Sequence, residues 1–228
     1  MKRVAIFGAS GGLARALASE LLTRGWAVDA ICRTVKADII STQFDGQMKD
    51  GTFCIHQVRD RYSEFKFHYA FDAVFIAQAL FEPCPLSEVA ANQVNDEITI
   101  GLTDPILLTR DFLRSFPPCK GKRRDVCFAG STSSYAGFKN TSVYCAVKHG
   151  LLGFVRALND EYAMTDDRFW LFSMGTMRTE MGRRVAGQDA STYLDPQDVA
   201  RRIVATFTAD TNLFEPEVII RRRAVKYL

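Results

Sequence analysis

The sequence predicts an α/β fold, a doubly wound parallel sheet of about seven strands with helices on both faces. Two observations predict it. Short apolar runs, such as residues 3–7 and 27–32, alternate with longer segments of helical periodicity, which is typical of parallel strands joined by crossover helices. The length of 228 residues suits one such unit with a substantial core. We therefore expect residues 1–228 to form a single domain that also contains the functional site.

The opening of the chain predicts a nucleotide-binding turn. The apolar run RVAIF at residues 3–7 is followed by GASGGLA at residues 8–14 and by a helical segment that ends at Gly25. Glycines let the backbone approach a pyrophosphate closely, and a helix N-terminus supplies free N–H groups and a positive dipole end. The order strand, glycine-rich turn, helix therefore indicates a Rossmann-type site. An ordinary tight turn is the alternative interpretation.

A tyrosine and a lysine four residues apart, Tyr144 and Lys148, lie in a predicted helix. Residues at this spacing share a helical face, so the ammonium can lie near the phenol and lower its pKa from about 10. Such a tyrosine exchanges a proton with a carbonyl or an alcohol near neutral pH. Ser131 lies thirteen residues before Tyr144, just after the predicted strand 126–129. The alternative is a solvated helix face without chemistry.

Together these motifs resemble those of the short-chain dehydrogenase/reductase family, and the resemblance covers essentially the whole chain. The family's TGxxxGxG fingerprint is similar to residues 7–14, with Phe7 in place of the threonine and Ala14 in place of the last glycine. Its second signature, a serine followed by YxxxK, is matched by Ser131, Tyr144 and Lys148.

The resemblance implies an oxidoreductase that transfers hydride between a nicotinamide and a small carbonyl or hydroxyl substrate. Tyr144 would be the general acid/base, Lys148 would hold the nicotinamide ribose, and Ser131 would polarise the carbonyl. Ser133 and Ser134 remain alternatives to Ser131. The cofactor-binding residues that the resemblance implies are Gly8, Ser10, Gly11, Gly12, Leu13, Arg33, Gln78, Tyr144, Lys148, Gly175 and Thr179.

The end of the second predicted strand favours NADP(H) over NAD(H). An acidic residue about 20 positions past the glycines binds the ribose 2′-OH of NAD, whereas a nearby arginine accommodates the 2′-phosphate of NADP. Cys32 stands where the acid would be, Arg33 follows it, and Asp29 lies too early. Arg15, beside the glycine-rich turn, can add a second positive charge. The alternative is that Arg33 is an ordinary surface arginine.

Three departures from the family support a different class of function. IAQA at residues 76–79 stands in place of NNAG, so that Gln78 alone retains an amide. Gly101 takes the position of a catalytic asparagine that helps to relay protons, and Met174 replaces a proline before Gly175. The alternative function is therefore an NADP(H)-binding scaffold or redox sensor with weak or no turnover.

Composition indicates neither a nucleic acid nor a membrane as partner. The net charge of +3 is small, and we expect the basic run 221–223 to be a solvated strand end. No apolar stretch approaches the roughly 18 residues of a membrane span. Six cysteines without metal-ligand spacing predict reduced thiols, a cytoplasmic protein and no metal site.

The substrate pocket and the assembly state are predicted only coarsely. Phe81, Tyr135, Phe138 and Met177 are candidate pocket residues that suit a partly apolar compound, and residues 176–191 form a candidate lid. The helix predicted over residues 142–162 is apolar around much of its circumference. In the family the matching helix packs against another subunit, which implies a homodimer or a homotetramer.

Overall fold

The computed structural model describes residues 1–33, 43–209 and 213–223. Within them, one sheet of seven parallel strands has the order β3-β2-β1-β4-β5-β6-β7. The strands are β1 (Arg3–Phe7), β2 (Ala27–Cys32), β3 (Phe53–Gln57), β4 (Ala73–Ile76), β5 (Arg124–Ser131), β6 (Asp167–Met174) and β7 (Glu217–Ile220). The helices are α1 (Gly12–Thr23), α2 (Asp45–Lys49), α3 (Ala91–Ile98), α4 (Asp104–Ser115), α5 (Ser142–Glu161) and α6 (Pro196–Thr208). The predicted doubly wound α/β fold is confirmed.

The sheet separates two apolar clusters because successive strand residues point to opposite faces. In β1, Val4 and Ile6 join the cluster under α1 and α6, whereas Ala5 and Phe7 join the cluster under α4 and α5. All four side chains are fully buried. Burial on both faces explains why the strands appear in the sequence as continuous apolar runs.

The two longest strands extend further than the sequence predicts. β5 runs to Ser131, so this residue is the last of the strand and not the first of the following loop. At the other end, Arg124 pairs with Asp167, the first residue of β6, and its Nε donates to Asp167 Oδ1 at 2.8 Å. Both side chains of this ion pair are buried. In each strand, two charged residues precede the apolar run. The sequence prediction, which relied on apolar residues, left them out of the strand.

The sequence predicts one long helical segment over residues 89–116, interrupted near Gly101 and Pro105, and the structure has a π-helical turn, Thr99–Thr103, between α3 and α4. Gly101 is inside this turn and is buried. Pro105 lies in the first turn of α4. π-helical turns are rare and frequently occur at functional sites.

The connecting segment 34–51, for which the sequence predicts a short irregular helix, is described in part. Its described residues, 43–51, contain α2, whereas residues 34–42 lie outside the described part of the chain. Among the helices of the described residues, none has the length and apolar character that spanning a membrane requires.

Candidate active site

The candidate site lies at the carboxyl ends of the strands, beside the point where the strand order reverses between β1 and β4. Ligands of open α/β sheets bind at this position. A cavity of about 550 Å³ opens there next to the ends of β5 and β6. Its lining includes Ser131, Tyr144, Gly175 and Thr179, four of the residues that the sequence predicts for the site.

The glycine-rich turn is closely packed by the residues around it. Gly8 has φ +78°, and a Cβ on it would lie 2.7 Å from the backbone nitrogen of Gln78. A Cβ on Gly12 would lie 2.8 Å from Thr179 Cγ2. Side chains at these two positions would therefore collide with Gln78 and Thr179, so the turn keeps this conformation because both residues are glycine. No side chain caps the first turn of α1, which leaves its N–H groups available to an anion.

Three other predicted cofactor residues lie in or directly after this turn, and a fourth lies across the site. The Gly11 N–H donates to the Gly8 carbonyl at 2.9 Å and closes the turn. Ser10 follows within it, whereas the side chain of Leu13 is buried in the core under α1. On the other side of the site, the Gly175 N–H donates to the Ile220 carbonyl at 2.9 Å, which attaches the end of β6 to β7.

Gln78 provides the test of whether the site fits a nucleotide. Its side chain is 6% exposed, and neither its Oε1 nor its Nε2 has a hydrogen-bond partner in the described part of the protein. A buried amide without partners costs about 1–3 kcal/mol per unsatisfied group. Because Gln78 borders the Gly8 turn, the hydroxyl groups of a nucleotide ribose are suitable partners for it. The residues present therefore fit a dinucleotide.

The charged residues near the end of β2 are the buried Asp29 and the arginines Arg33 and Arg15. Asp29 is fully buried and its carboxylate binds Arg3 Nη1 at 2.7 Å and Tyr69 Oη at 2.7 Å, so it is not available to a ligand. The Arg33 guanidinium lies over the Tyr62 ring, 5.6 Å from its centroid, and no carboxylate pairs with it among residues 1–33, 43–209 and 213–223. The Nε of Arg15 is also buried without a partner in those ranges.

Ser131, Tyr144 and Lys148 meet where β5 faces α5. Lys148 is 2% exposed, and its Nζ donates to the Ala129 carbonyl at 2.8 Å, which fixes the ammonium beside the end of β5. The same Nζ lies 5.5 Å from the centroid of the Tyr144 ring. A hydrogen bond with Ser131 stabilises the Tyr144 phenolate and partly offsets the effect of burial on its pKa. The predicted three residues are therefore neighbours.

The pKa values of Tyr144 and Lys148 differ from the prediction. Burial raises the pKa of Tyr144 to about 12, and burial lowers the pKa of Lys148 to about 8. The prediction that Lys148 lowers the tyrosine pKa was therefore wrong for this arrangement. The reason is that burial in a poorly solvated site disfavours the charged form of each group.

The three candidate serines have different surroundings. Ser131 and Ser133 line the cavity, whereas Ser134 is fully buried and does not. Ser133 N–H donates to Ser131 Oγ at 3.1 Å, and Ser131 N–H donates to Ser134 Oγ at 3.4 Å. Because Ser131 is the serine that hydrogen-bonds Tyr144, the geometry favours it over the other two.

The predicted pocket residues are correct in three cases out of four. Phe81, Phe138 and Met177 line the cavity. Tyr135 does not, because its hydroxyl donates to Glu217 Oε2 of β7 at 2.9 Å and its ring packs against the core. The candidate lid contributes several lining residues, among them Met181 and Val185. Most of the exposed area of the cavity is apolar.

Sequence reasoning missed two residues of the site. Arg222, assigned to a solvated strand end, is 6% exposed, lines the cavity and donates to Thr192 Oγ1 at 3.0 Å. Glu97 is 3% exposed and lies near Tyr144, whose pKa it raises further by its charge. Both looked like exposed charges because their burial depends on elements distant in the chain. The spacing of Glu97, one helical turn before Gly101, was the available signal.

The fold and the site together define a nucleotide-binding α/β protein of the oxidoreductase type. The sequence matches the short chain dehydrogenase family over residues 2–190. The chain belongs to that family.

Curated relatives are distant in sequence. The benzil reductase ((S)-benzoin forming) of Bacillus subtilis is 27% identical over 197 residues, which are 79% of this chain and 76% of that protein. Inactive 2-(S)-hydroxypropyl-CoM dehydrogenase 2 of Xanthobacter autotrophicus is 26% identical over 127 residues, 54% of this chain and 55% of that protein. The match thus spans about half the length of the second relative.

Solved structures share the fold over nearly the whole chain. A 4-hydroxyisoleucine dehydrogenase mutant complexed with NADH and succinate has a TM-score of 0.84 at 20% identity and covers 99% of this chain and 100% of that one. An alcohol dehydrogenase from the archaeon Thermococcus sibiricus complexed with 5-hydroxy-NADP has a TM-score of 0.83 at 20% identity, with 100% and 99% covered.

Proposed function

We propose that the protein is an NADPH-dependent carbonyl reductase, or the reverse alcohol dehydrogenase, that acts on a small and partly apolar substrate. The observation that carries the proposal is the meeting of Ser131, Tyr144 and Lys148 beside a largely apolar cavity, one of whose lining residues, Thr179, packs next to Gly12 of the glycine-rich turn. The name of the benzil reductase relative, with 76% of its length matched, supports a carbonyl substrate.

In this mechanism the protein binds the cofactor, orients the substrate and protonates the substrate oxygen. The cofactor, when bound, supplies a hydride to the carbonyl carbon. Ser131 donates a hydrogen bond to the substrate oxygen, and Tyr144 transfers its phenolic proton to that oxygen as negative charge develops. The raised pKa of Tyr144 keeps it protonated at neutral pH, which suits the direction of reduction. Lys148, fixed by the Ala129 carbonyl, is placed to bind the nicotinamide ribose.

NADPH is the proposed cofactor because of the two arginines. Arg33 is held over Tyr62, whose own N–H donates to Asp104 Oδ2 at 3.1 Å. The guanidinium is therefore held over a fixed ring, and within the described ranges of the chain no carboxylate competes with a 2′-phosphate for it. Arg15 adds a second positive charge near the turn. No acid at the end of β2 competes for the ribose, since Asp29 is buried and bonded.

Thermal unfolding with NADPH and with NADH at equal concentrations tests the cofactor. A ligand at 100 times its Kd stabilises the protein by about 2.7 kcal/mol, which raises the Tm by several degrees. We expect the larger shift with NADPH. Oxidation of NADPH in the presence of benzil and other carbonyl compounds then tests the reaction, and turnover of at least one carbonyl is the expected result.

The second candidate function is an NADP(H)-binding scaffold or redox sensor. The position of the family's asparagine is glycine here, and its surroundings leave no room for a side chain. Nucleotide binding without turnover of any carbonyl in a broad panel would favour this function. Turnover that requires Tyr144 would exclude it.

The proposal includes a cytoplasmic homo-oligomer. Small residues lie exposed along α5, at Ala146, Gly153 and Ala157, and allow the backbone of a second copy to approach closely. Light scattering during size-exclusion chromatography tests the assembly, with a dimer or tetramer as the expected result. Replacing Gly153 with a bulky tryptophan should then yield monomers.

A further inference from the structure

Glu97 is a buried carboxyl for which the reductase mechanism above has no use. It is the last residue but one of α3, is 3% exposed, and its Oε2 has no hydrogen-bond partner within the described ranges of the chain. Its Oε1 lies 3.4 Å from the Nε2 of Gln93. Burial raises the pKa of Glu97 above its usual range. These surroundings therefore favour the protonated form of the carboxyl.

Glu97 and Tyr144 line the same small cavity. This cavity has a volume of about 10 Å³, the size that holds one water molecule. The unpartnered Oε2 of Glu97 and the polar atoms of the surrounding loop supply hydrogen-bond partners for that water. The charge of Glu97 is close enough to Tyr144 to raise the pKa of the phenol, so the two groups are coupled.

The titratable groups around Glu97 are few. Glu82 lines the same cavity, but its side chain is exposed and its Oε1 lies 3.9 Å from Arg184 Nη1. Cys84 also lines the cavity, and Cys145 follows Tyr144 on α5. Among these groups, Glu97 alone combines a buried carboxyl with a position beside the phenol. It is therefore the group suited to exchange a proton with Tyr144.

The family's own proton-relay residue cannot occupy its position in this protein. A Cβ on Gly101 would lie 2.5 Å from Val147 Cγ1, closer than any real contact between carbon atoms. An asparagine therefore does not fit there unless α5 moves. Glu97 precedes Gly101 by one helical turn and is separated from it by the start of the π-helical turn.

We propose that Glu97 exchanges protons with Tyr144 through one water in the cavity that both residues line. The proposal rests on the reductase function. As Tyr144 gives its phenolic proton to the substrate oxygen, the water gives a proton to the phenolate oxygen, and the Glu97 carboxylic acid gives its proton to the water. Glu97 is left as a carboxylate and takes a new proton from solvent. It acts through Tyr144 and does not touch the substrate.

The kinetic test compares Glu97→Gln with the unchanged protein over a range of pH. We expect kcat to fall roughly ten- to hundredfold, at the low end of the effect of positioned proton transfer, while KM and the Kd for NADPH stay the same. In the unchanged protein kcat should decrease as pH rises through the pKa of Glu97. This decrease, the alkaline limb of the pH profile, should be absent in Glu97→Gln. Glu97→Asp, which keeps a carboxyl, should retain part of the activity and the limb.

Glu82→Gln is the matched control, because it makes the same chemical change in a residue that lines the same cavity but is exposed. It should leave the maximal kcat unchanged and keep the decrease at high pH, moved to somewhat lower pH because the charge of Glu82 contributes to the raised pKa of Glu97. An unchanged kcat and limb in Glu97→Gln would overturn the proposal, as would an equal effect of Glu82→Gln.

An infrared titration tests the coupling without any turnover. The difference spectrum between the unchanged protein and Glu97→Gln isolates one carboxyl band, which should persist above the pH of about 4.3 at which ordinary glutamates ionise. Tyr144→Phe should move the midpoint of this band upward, because the phenol no longer stabilises the carboxylate through the water. Tyr135→Phe should not move it. If Tyr144→Phe leaves the midpoint unchanged, the proposal is overturned even if the protein reduces carbonyls. If Tyr144→Phe moves the midpoint but the protein reduces no carbonyl, the proton exchange stands and the reductase function is wrong.

Discussion

Gly101 and Val147 are in direct contact across the interface between the π-helical turn and α5. A Cβ built on Gly101 would approach Val147 Cγ1 to 2.5 Å. The valine is 3% exposed and branches at its own Cβ, so it cannot rotate away as a long flexible side chain would. Packing therefore requires a glycine at position 101, because Val147 occupies the space that a side chain would need.

Restoring the family's asparagine should consequently destabilise the protein. Gly101→Asn is expected to cost about 1–3 kcal/mol of unfolding free energy, as overpacking of a filled core does. Combined with Val147→Ala, which removes the clashing methyl group, it should cost less than the sum of the two single changes. Urea denaturation measures all three variants.

Gly153→Ala on α5 is the control for this series. A Cβ there meets no atom within 4 Å, so alanine should stabilise the helix by up to about 1 kcal/mol. A stable Gly101→Asn variant would show that α5 moves freely at this contact.

Removing the phenolic hydroxyl should separate binding from chemistry. Tyr144→Phe should lower carbonyl reduction by about 10²- to 10⁴-fold, the usual contribution of a positioned general acid. The Tm shift with NADPH should remain. Tyr135→Phe is the matched control, because its hydroxyl bonds Glu217 and its side chain lies outside the cavity. Retained turnover in Tyr144→Phe would mean that another group supplies the proton.

The choice between cofactors should depend on Arg33. Loss of a charge-assisted hydrogen bond costs about 1.5–3 kcal/mol, so Arg33→Ala should weaken NADPH binding roughly 10- to 100-fold and leave NADH binding nearly unchanged. Isothermal titration calorimetry with both nucleotides measures this. Arg110→Ala, an exposed arginine of α4, should alter neither Kd. Equal losses for both nucleotides would argue against contact with the 2′-phosphate.

The buried lysine should make stability depend on pH in the nucleotide-free protein. The pKa of Lys148 falls from 10.5 to about 8 in the folded state because burial disfavours the charge. Below about pH 8 the lysine is charged in both states, so burial of the ammonium destabilises the fold. Between about 8 and 10.5 the unfolded state binds more protons, and the penalty disappears as pH rises.

Lys148→Met should therefore stabilise the protein at pH 7 and lose this advantage by pH 10.5. The shift in pKa corresponds to about 3 kcal/mol, from which the lost bond to the Ala129 carbonyl subtracts about 1–3 kcal/mol. We expect a net gain of up to about 2 kcal/mol, or a few degrees in Tm. An identical gain at both pH values would rule out burial of the charge as the cause.

The parts of the site that could be predicted from the sequence are local in the chain. Strand, glycine-rich turn and helix are consecutive between residues 3 and 23, and Ser131, Tyr144 and Lys148 lie within eighteen residues. Spacing along one strand or helix determines the relative positions of such groups. The fold followed from the same local signals, because apolar runs and helical segments alternate along the whole chain.

The parts that could not be predicted depend on contacts between distant segments. The pKa of Tyr144 depends on its burial and on Glu97, which belongs to another helix. Glu97 itself follows Asn95 and Asp96 and has the local appearance of a solvated helix end. Likewise, the direction of Tyr135 is determined by its bond to Glu217, more than eighty residues later in the chain.

The ion pair between Arg124 and Asp167 has a consequence at the opposite end of the sheet. It joins the first residues of β5 and β6, while Ser131 and Met174 face each other at the last positions of the same two strands. The two ends are about 23 Å apart at 3.3 Å per residue. A slip of one residue would reverse the direction of every side chain along the pair. Because that slip would also turn the buried apolar residues of β5 and β6 out of the core, and because loss of Asp167 leaves the Arg124 charge buried without a partner, a mutation at Asp167 should affect Ser131 only together with the stability of the whole fold.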